Sequence, residues 1–250
     1  MDIPLKNQEL YNKMDAFSRV KLLIGQDNFS TLKNASVAVF GVGGVGGYAV
    51  EALARSGIGS ITVFDDDTVD ITNINRQIIA TVDTVGKDKT AVIKDRLLSI
   101  NPEIKVFAKK VFYLPENADE FDFTKFDYII DAVDTVSAKL EIISRAKAVN
   151  VPVISCMGTG GKLDVSALKV ADIEKTKGCP LARVMRRELK NRNIKGVKVV
   201  YSEESVVYTA QGEQKKADGK TAPPSMIFVP ATAGLMLARE VVLDLINSCK

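Results

Sequence analysis

Apolar residues in the first two thirds of the chain follow two alternating spacings. Short apolar runs such as SVAVF (36–40) predict strands, and stretches such as YAVEALARSG (48–57), with apolar residues at helical intervals, predict helices. Alternating strands and helices predict right-handed crossovers and an α/β fold, with a mainly parallel sheet covered by helices on both faces. The predicted strands span 36–40, 60–65, 103–110, 125–134 and 151–156, and the predicted helices span 48–57, 87–100 and 137–150.

After Cys156 the alternation loosens, but strand patterns return in ALKVADI (167–173) and GVKVVYS (196–202). These strands are expected to extend the same sheet in the C-terminal half. A helix is predicted over 180–192, and its apolar face holds Leu181, Val184, Met185 and Leu189. The polar, glycine- and proline-containing stretch around 209–224 predicts a surface loop or lid.

The last apolar helix, VPATAGLMLAREVVLDLI, is interrupted by Arg239, Glu240 and Asp244 before it reaches membrane-spanning length. We therefore expect a core or dimer helix and no membrane span. The whole chain, 1–250, is expected to form a single domain. Its predicted parts are a helical arm at 1–35, a nucleotide-binding core at 36–156, and a substrate-binding extension at 157–250.

Composition restricts the chemistry. The chain has no histidine, so histidine bases and histidine metal sites are excluded. Its three cysteines, Cys156, Cys179 and Cys249, form no CxxC pair, which argues against a disulfide framework and a four-thiolate zinc site. The opening residues are polar and charged and lack the apolar run of a secretory signal, which predicts a cytoplasmic location.

Positive charge is concentrated in one segment. Residues 175–198 hold nine Lys or Arg residues and one acid, although the whole chain carries a net charge of only +3. Within the predicted helix, Arg183, Arg186, Arg187 and Lys190 lie off the apolar face. This one-sided charge favours a polyanion-binding face over an ordinary solvated helix.

A glycine-rich turn joins the first predicted strand to the first helix of the core. In GVGGVGG, Gly41, Gly43 and Gly46 match GxGxxG, and Gly44 lies between them. Such a turn brings backbone N–H groups to a phosphate at a helix N-terminus, as in Rossmann-like folds. An acid among Asp65, Asp66 and Asp67, after the second strand, would accept ribose hydroxyls. These features predict a nucleotide site without naming the nucleotide.

Charged residues further along favour ATP over NAD. Arg76 in NINRQ suits phosphate oxygens, and Lys87 and Lys89 lie at the start of a helix. Asp131 and Asp134 end a predicted strand, where a carboxylate can hold Mg²⁺ that bridges phosphates. An ATP site built without a P-loop is predicted by the order of these features along the chain: the glycine-rich turn, the acidic cluster, the arginine, the lysines and the acids at the strand end.

The motifs FSR, GxGxxG, NxNRQ, VGxxK and DxxD occur together between Arg19 and about Pro152. In this they resemble the ubiquitin-activating-type adenylating family. The resemblance implies that the Gly41–Gly46 loop, Asn75, Arg76 and Lys89 contact the phosphates of ATP. It implies a ribose contact in the acidic cluster that includes Asp65, with Asp67 preferred, and Mg²⁺ on Asp134. It further implies a homodimer in which Arg19 serves the neighbouring subunit's ATP site.

The second half, from SCMGTGGKLD to PATAGLMLAREVV, resembles one branch of that family, the dehydratases of tRNA threonylcarbamoyladenosine. That resemblance implies cyclisation of this modified adenosine through an acyl-adenylate on its threonyl carboxylate. It also implies a monovalent cation, K⁺ or Na⁺, at the Gly158–Gly161 turn, and a cysteine desulfurase system as an accessory partner. The basic segment at 175–198 is what a tRNA substrate would require.

Three alternatives stay open. Carrier-activating relatives adenylate the C-terminus of a small sulfur-carrier protein, but the two CxxC zinc pairs typical of them are absent. Cys156 is the one candidate nucleophile for a thioester, and a packed strand thiol is the favoured interpretation. An NAD-dependent oxidoreductase would leave Arg76 and Lys89 unexplained, and a noncatalytic nucleotide or tRNA sensor would not need the full set of phosphate residues.

Overall fold

The structure is a computed structural model that describes residues 15–206, 214–215, 221–222 and 224–247. Most of the predicted lid therefore lies outside the described residues, apart from a short antiparallel pair, β8 (Gln214–Lys215) and β9 (Thr221–Ala222). The first 14 residues of the predicted arm lie outside them as well.

A seven-stranded sheet forms the centre of the molecule, with strand order β3-β2-β1-β4-β5-β7-β6. All neighbouring strands are parallel except β6, which runs antiparallel to β7. The mainly parallel sheet and its extension in the C-terminal half are confirmed. Its strands are β1 (Ser36–Phe40), β2 (Ser60–Phe64), β3 (Lys105–Lys109), β4 (Tyr128–Asp131), β5 (Val153–Cys156), β6 (Leu168–Asp172) and β7 (Lys198–Ser202).

Seven α-helices are present in the described residues. They are α1 (Ser18–Ile24), α2 (Gln26–Asn34), α3 (Gly46–Arg55), α4 (Lys89–Ile100), α5 (Val136–Ala148), α6 (Pro180–Asn191) and α7 (Phe228–Asn247). Each predicted helix of the sequence corresponds to one of these, within two residues at its ends. Helix ends are the least constrained part of a periodic pattern, so such differences are expected.

Two hydrophobic clusters cover the two faces of the sheet. One joins the sheet to α3, α4 and α7 through residues such as Val39, Leu53 and Leu237. The other lies under α5 and α6 and includes a group of aromatic rings, with Phe40 stacked on Phe64 at a centroid distance of 4.4 Å. Burial on both faces explains why the central strands are continuous apolar runs.

Helix α7 packs directly against the start of α3. A Cβ placed on Gly234 would lie 2.3 Å from the carbonyl oxygen of Val45 and 2.9 Å from Cβ of Tyr48. Only glycine permits this approach of the two backbones, so α7 supports the glycine-rich turn from behind. Among the helices of the described residues, none is long and apolar enough to cross a membrane.

Candidate active site

The glycine-rich turn lies at the carboxyl edge of the sheet, between β1 and α3. Gly41 has a φ of +85°, and a Cβ there would lie 2.8 Å from the Ala132 carbonyl oxygen. A Cβ on Gly46 would lie 1.8 Å from the Gly41 carbonyl oxygen. No side chain caps the start of α3, and the N–H of Gly47, its second residue, donates to the Gly43 carbonyl at 3.0 Å. The N-terminal end of a helix favours an anion.

Asp65, directly after β2, holds the turn in place. Its Oδ2 accepts a hydrogen bond from the Val42 N–H at 2.8 Å, and its Oδ1 accepts one from the Asp67 N–H at 3.0 Å. Burial raises the pKa of Asp65, while the charge of Lys89 and these two N–H donors act in the opposite direction. Asp65, one of the three acids predicted as ribose acceptors, thus holds the glycine-rich turn.

Lys89, the first residue of α4, is buried at 4% exposure and forms an ion pair with Asp67 at 2.6 Å. Its backbone N–H donates to the Asp67 carbonyl at 3.0 Å, so the VGxxK turn folds onto the acidic segment. The three neighbouring carboxylates of Asp65, Asp66 and Asp67 have ligand atoms within 4.8 Å of one another. Lys89 pairs with the carboxylate of Asp67, and two backbone N–H groups donate to that of Asp65. Two of the three carboxylates are therefore already held by donors of the protein.

Arg76 lies against the glycine-rich turn. A Cβ on Gly44 would contact Cγ of Arg76 at 3.4 Å. The guanidinium donates from Nη1 to the Thr72 carbonyl at 2.8 Å and to Oδ1 of Asn75 at 2.9 Å. Burial lowers the pKa of Arg76 and the nearby Asp70 raises it, but an arginine remains charged in either case. A guanidinium therefore borders the glycine-rich turn, and its contact with phosphates stays a prediction.

Asn75 connects this region to the segment that follows the predicted lid. Its Nδ2 donates to the Ser225 carbonyl at 2.8 Å. One residue earlier, the Pro224 carbonyl accepts from the Gly161 N–H at 2.7 Å. The Gly158–Gly161 turn and the NINRQ segment are thus joined through residues 224–225.

The end of β4 brings Asp134 to the same edge. The Ala132 and Val133 backbone lies against Gly41, and Asp134, two residues beyond Ala132, is exposed. Thr135 lies within 3.4 Å of its carboxylate through Oγ1. Asp134 is therefore presented beside the turn, whereas Asp131, the other acid of the DxxD motif, faces inward.

Asp131 belongs to a buried polar group beneath the site. It pairs with Lys139 at 2.9 Å and accepts from Oγ of Ser155 at 2.5 Å, and all three residues are fully buried. Nζ of Lys139 also donates to the carbonyls of Val133 (3.1 Å) and Cys156 (2.7 Å). This group fixes the backbone that leads to Asp134, a role that the sequence did not reveal.

Cys156 is buried at the end of β5, and its Sγ contacts the Met157 carbonyl at 3.3 Å. Burial raises the pKa of its thiol to about 12. A thiol with such a pKa is almost entirely protonated at neutral pH and is a poor nucleophile. The interpretation as a packed thiol is supported.

We expect Cys156→Ala to retain ATP turnover, because the Cys156 thiol is buried and protonated and takes no part in the proposed chemistry. Native protein should also resist alkylation at Cys156 by iodoacetamide, measured by peptide mass spectrometry before and after denaturation. Loss of turnover in a Cys156→Ala protein with an unchanged melting temperature would contradict the structural role.

Arg19 is not among the residues gathered at this edge. Phe17 packs on Phe29 at a ring distance of 5.5 Å, and Phe29 contacts Gly57, just beyond the far end of α3. Since α3 has ten residues, about 15 Å of helix separates this region from the glycine-rich turn. Arg19 lies on exposed α1 and cannot serve the site of its own chain from there.

The basic helix α6 begins next to the Gly158–Gly161 turn, since a Cβ on Gly158 would lie 3.9 Å from both Cys179 Sγ and Leu181 Cβ. Met185 and Leu189 are buried as predicted. Arg186 is half-buried and donates to the Thr176 carbonyl and hydroxyl at 2.7 and 2.8 Å. The outward cations of this helix are Arg183, Arg187 and Lys190, and Arg187 pairs with Glu188.

Sequence reasoning missed two residues at this edge. Gln77, directly after Arg76, is 6% exposed, and its Oε1 has no hydrogen-bond partner in the described part of the chain. Lys162, directly after the Gly158–Gly161 turn, is 3% exposed. Lys162 could have been recognised as a cation that follows a glycine-rich turn, whereas nothing in the sequence distinguishes Gln77 from a surface residue.

Comparison with known proteins places this geometry in context. The ThiF family model matches residues 17–248. The tRNA threonylcarbamoyladenosine dehydratase of Bacillus subtilis is 44% identical over 240 residues, which cover 92% of this chain and 94% of that protein.

Two solved structures of the Escherichia coli tRNA N6-threonylcarbamoyladenosine dehydratase, TcdA, are also similar. The complex with ATP superimposes with a TM-score of 0.85 at 33% identity, covering 94% of this chain and 95% of the other. The complex with AMP gives a TM-score of 0.84 at 34% identity, with the same coverage.

Proposed function

This chain belongs to the ThiF family, and from that membership we infer that it catalyses the ATP-dependent dehydration of N6-threonylcarbamoyladenosine in tRNA. The observation that carries the inference is the near-complete match to proteins of that name, which extends through the C-terminal half. The carboxyl edge of the sheet supplies the cations and N–H groups that a nucleotide needs. The alternation of elements alone would not separate this reaction from other adenylations.

In the first step the threonyl carboxylate attacks the α-phosphorus of ATP. The bond to the β-phosphate breaks, and an acyl-adenylate and pyrophosphate form. The α3 N-terminus, Arg76 and Lys89 are placed to offset phosphate charge. Proton transfer by the protein is not required, which suits a chain without histidine.

In the second step the carbamoyl group of the substrate attacks the activated acyl carbon. The ring closes, the carbamoyl group loses one proton, and AMP leaves with the electron pair of the broken acyl–oxygen bond. The net change in the nucleoside is the loss of one water. Adenylation is needed because a free carboxylate has only oxide as its leaving group.

Mg²⁺ fits the site on the chemistry of its donors. Asp134 offers a hard carboxylate oxygen beside the phosphate loop, and Mg²⁺ is commonly held by one or two carboxylates together with substrate phosphates. When bound, the ion would offset charge on the phosphates. A monovalent cation at the Gly158–Gly161 turn stays a prediction, as do the cytoplasmic location and a sulfur-transfer partner.

A homodimer with composite sites is supported by α1. Leu22 and Leu23 on this helix are each 85% exposed, next to Arg19. Such adjacent apolar side chains are typical of surfaces covered by a partner. A second copy packed there would remove the two leucines from water and bring Arg19 to a glycine-rich turn that its own chain keeps far away.

The outward cations of α6 are proposed to contact tRNA phosphates. Replacing Arg183 and Lys190 together by Ala should weaken tRNA binding and reduce the slope of log K against log salt by about 1.5 to 2, since two phosphate contacts are lost. Arg186→Ala would not test RNA binding cleanly, because the guanidinium of Arg186 donates a hydrogen bond to the Thr176 carbonyl and its loss would also disturb that contact. An unchanged salt slope, measured by filter binding from 50 to about 200 mM salt, would remove α6 from the RNA interface.

The decisive experiment measures pyrophosphate and AMP release from ATP and Mg²⁺ with threonylcarbamoyl-modified tRNA, unmodified tRNA and no RNA. Release only with modified tRNA, together with a nucleoside mass lower by one water, is expected. Release that does not depend on RNA would overturn the proposal.

Activation of a sulfur-carrier protein is the second candidate within the same chemistry. It predicts ATP–pyrophosphate exchange that depends on the carrier's C-terminus and not on RNA. The lack of CxxC pairs and the buried Cys156 count against it.

A further inference from the structure

Lys162 is a buried cation for which the protein provides no anion in the described residues. It is 3% exposed, and its Nζ donates to the Ser202 carbonyl at 3.0 Å, the one acceptor it reaches there. The other two buried lysines each face a carboxylate, Lys89 that of Asp67 and Lys139 that of Asp131. A buried ammonium has three donors and is costly to desolvate without a counter-charge.

The backbone around Lys162 is held firmly at the carboxyl edge. The N–H groups of Leu163 and Asp164 donate to the carboxylate of Glu204 at 3.0 and 2.9 Å. The Met157 N–H donates to the Val200 carbonyl at 2.8 Å and continues the pairing of β5 with β7. Lys162 therefore lies between the ends of β5 and β7, on the edge that carries the glycine-rich turn.

Two observations connect Lys162 with the proposed chemistry. The N–H of the adjacent Gly161 donates a hydrogen bond to the Pro224 carbonyl. The carbonyl of the next residue, Ser225, accepts one from the side chain of Asn75, the residue before Arg76. The charge of Lys162 also lowers the pKa of the Cys156 thiol against the larger effect of burial, so it acts at the end of β5. In the strand order, β5 and β7 lie on one side of β1, and β2 lies on the other. Lys162 and Lys89 therefore lie on opposite sides of the glycine-rich turn, which follows β1.

The proposed first step needs a cation on that side. A carboxylate that approaches a triphosphate is repelled, and Arg76, Lys89 and the loop N–H groups address only the phosphates. We propose, on the basis of the proposed function, that Lys162 binds the carboxylate of the threonylcarbamoyl group and positions it for attack on the α-phosphorus. In that step the carboxylate oxygen forms the new bond to phosphorus, and pyrophosphate takes the electron pair of the bond that breaks. Lys162 forms and breaks no covalent bond.

Three variants separate charge from structure. Lys162→Gln can still donate to the Ser202 carbonyl but has no charge, and Lys162→Met fills a similar volume without a donor. Burying a charge without a counter-charge is costly, so replacing Lys162 by an uncharged side chain of similar volume should not lower stability. Lys169 is an exposed lysine on β6 that pairs with Glu203. Its substitution, Lys169→Met, is the matched control for the loss of one positive charge.

We expect Lys162→Gln and Lys162→Met to keep the wild-type melting temperature and ATP affinity, while single-turnover pyrophosphate release with modified tRNA falls by roughly 100-fold. Lys169→Met should react at the wild-type rate. Wild-type rates in Lys162→Gln would overturn the proposal, because the hydrogen bond to Ser202 would then suffice. Loss of rate only together with loss of ATP affinity would overturn it as well.

The wild-type protein in the same assay separates this inference from the proposed function. If wild type releases no pyrophosphate with modified tRNA, the dehydratase proposal fails. If wild type reacts and the Lys162 variants react equally well, the dehydratase proposal stands and only the role of Lys162 fails.

Discussion

Gly46→Ala should fold poorly and lose ATP binding, whereas Gly43→Ala should fold normally. The new Cβ at position 46 would lie 1.8 Å from the Gly41 carbonyl oxygen, which forces the turn apart. We expect a cost of about 3 kcal/mol and a drop in Tm of roughly 6 to 12 °C. At position 43 the nearest atom, Nε2 of Gln77, is 3.7 Å away, an ordinary contact.

Gly43→Ala is therefore a folding control within the same motif. Its Tm should stay within about 2 °C of wild type, while its ATP affinity falls, because the middle glycine lets the backbone approach phosphates. Tm from differential scanning fluorimetry and ATP affinity from calorimetry test both variants. A stable Gly46→Ala protein that binds ATP would contradict the described turn, and wild-type affinity in Gly43→Ala would place the phosphates elsewhere.

Arg19→Ala and Arg76→Ala should each lose AMP formation by about 10³-fold, and a heterodimer of the two should regain about half of the wild-type activity. In that heterodimer one site combines the intact Arg76 of one chain with the intact Arg19 of the other, and the second site holds both lesions. The heterodimer is obtained by co-expression with two different tags and purification through both.

The matched control is a heterodimer of Arg76→Ala with Asp134→Ala. Arg76 contacts the glycine-rich turn, and Asp134 lies two residues beyond Ala132, whose backbone contacts the same turn of that chain. Each site of this heterodimer then carries one lesion, and no activity should return. Absence of a doubly tagged dimer, or failure of the Arg19 pair to recover, would contradict composite sites. Recovery in the control pair would show that the two residues do not share a site.

Local periodicity was sufficient to predict the sheet and most of its helices. Central strands such as β1 and β4 are buried on both faces, so their apolar runs are unbroken and bounded by turn residues. The glycine spacing likewise predicted a turn between β1 and α3. These features depend on residues close together in the chain, which is what a sequence pattern reports.

Partners distant in the chain could not be predicted in this way. Nothing near Asn75 indicates that its amide donates to Ser225, 150 positions later. Asp131 and Asp134 look equivalent in the DxxD motif, yet one is paired with buried Lys139 and the other is exposed. Arg186 was grouped with the outward cations, but its guanidinium is bonded to Thr176. Each outcome depends on which side chains the tertiary packing brings together.

The close contact of Gly234 with Val45 also bears on the order of events during synthesis. The glycine-rich turn runs directly into α3 and is complete early in the chain, but its rear support belongs to α7, nearly 190 residues later. A growing chain on the ribosome therefore exposes the turn long before the helix that backs it has emerged. Nucleotide affinity should therefore arise only after α7 has emerged and packed against α3, and the N-terminal half alone should lack it.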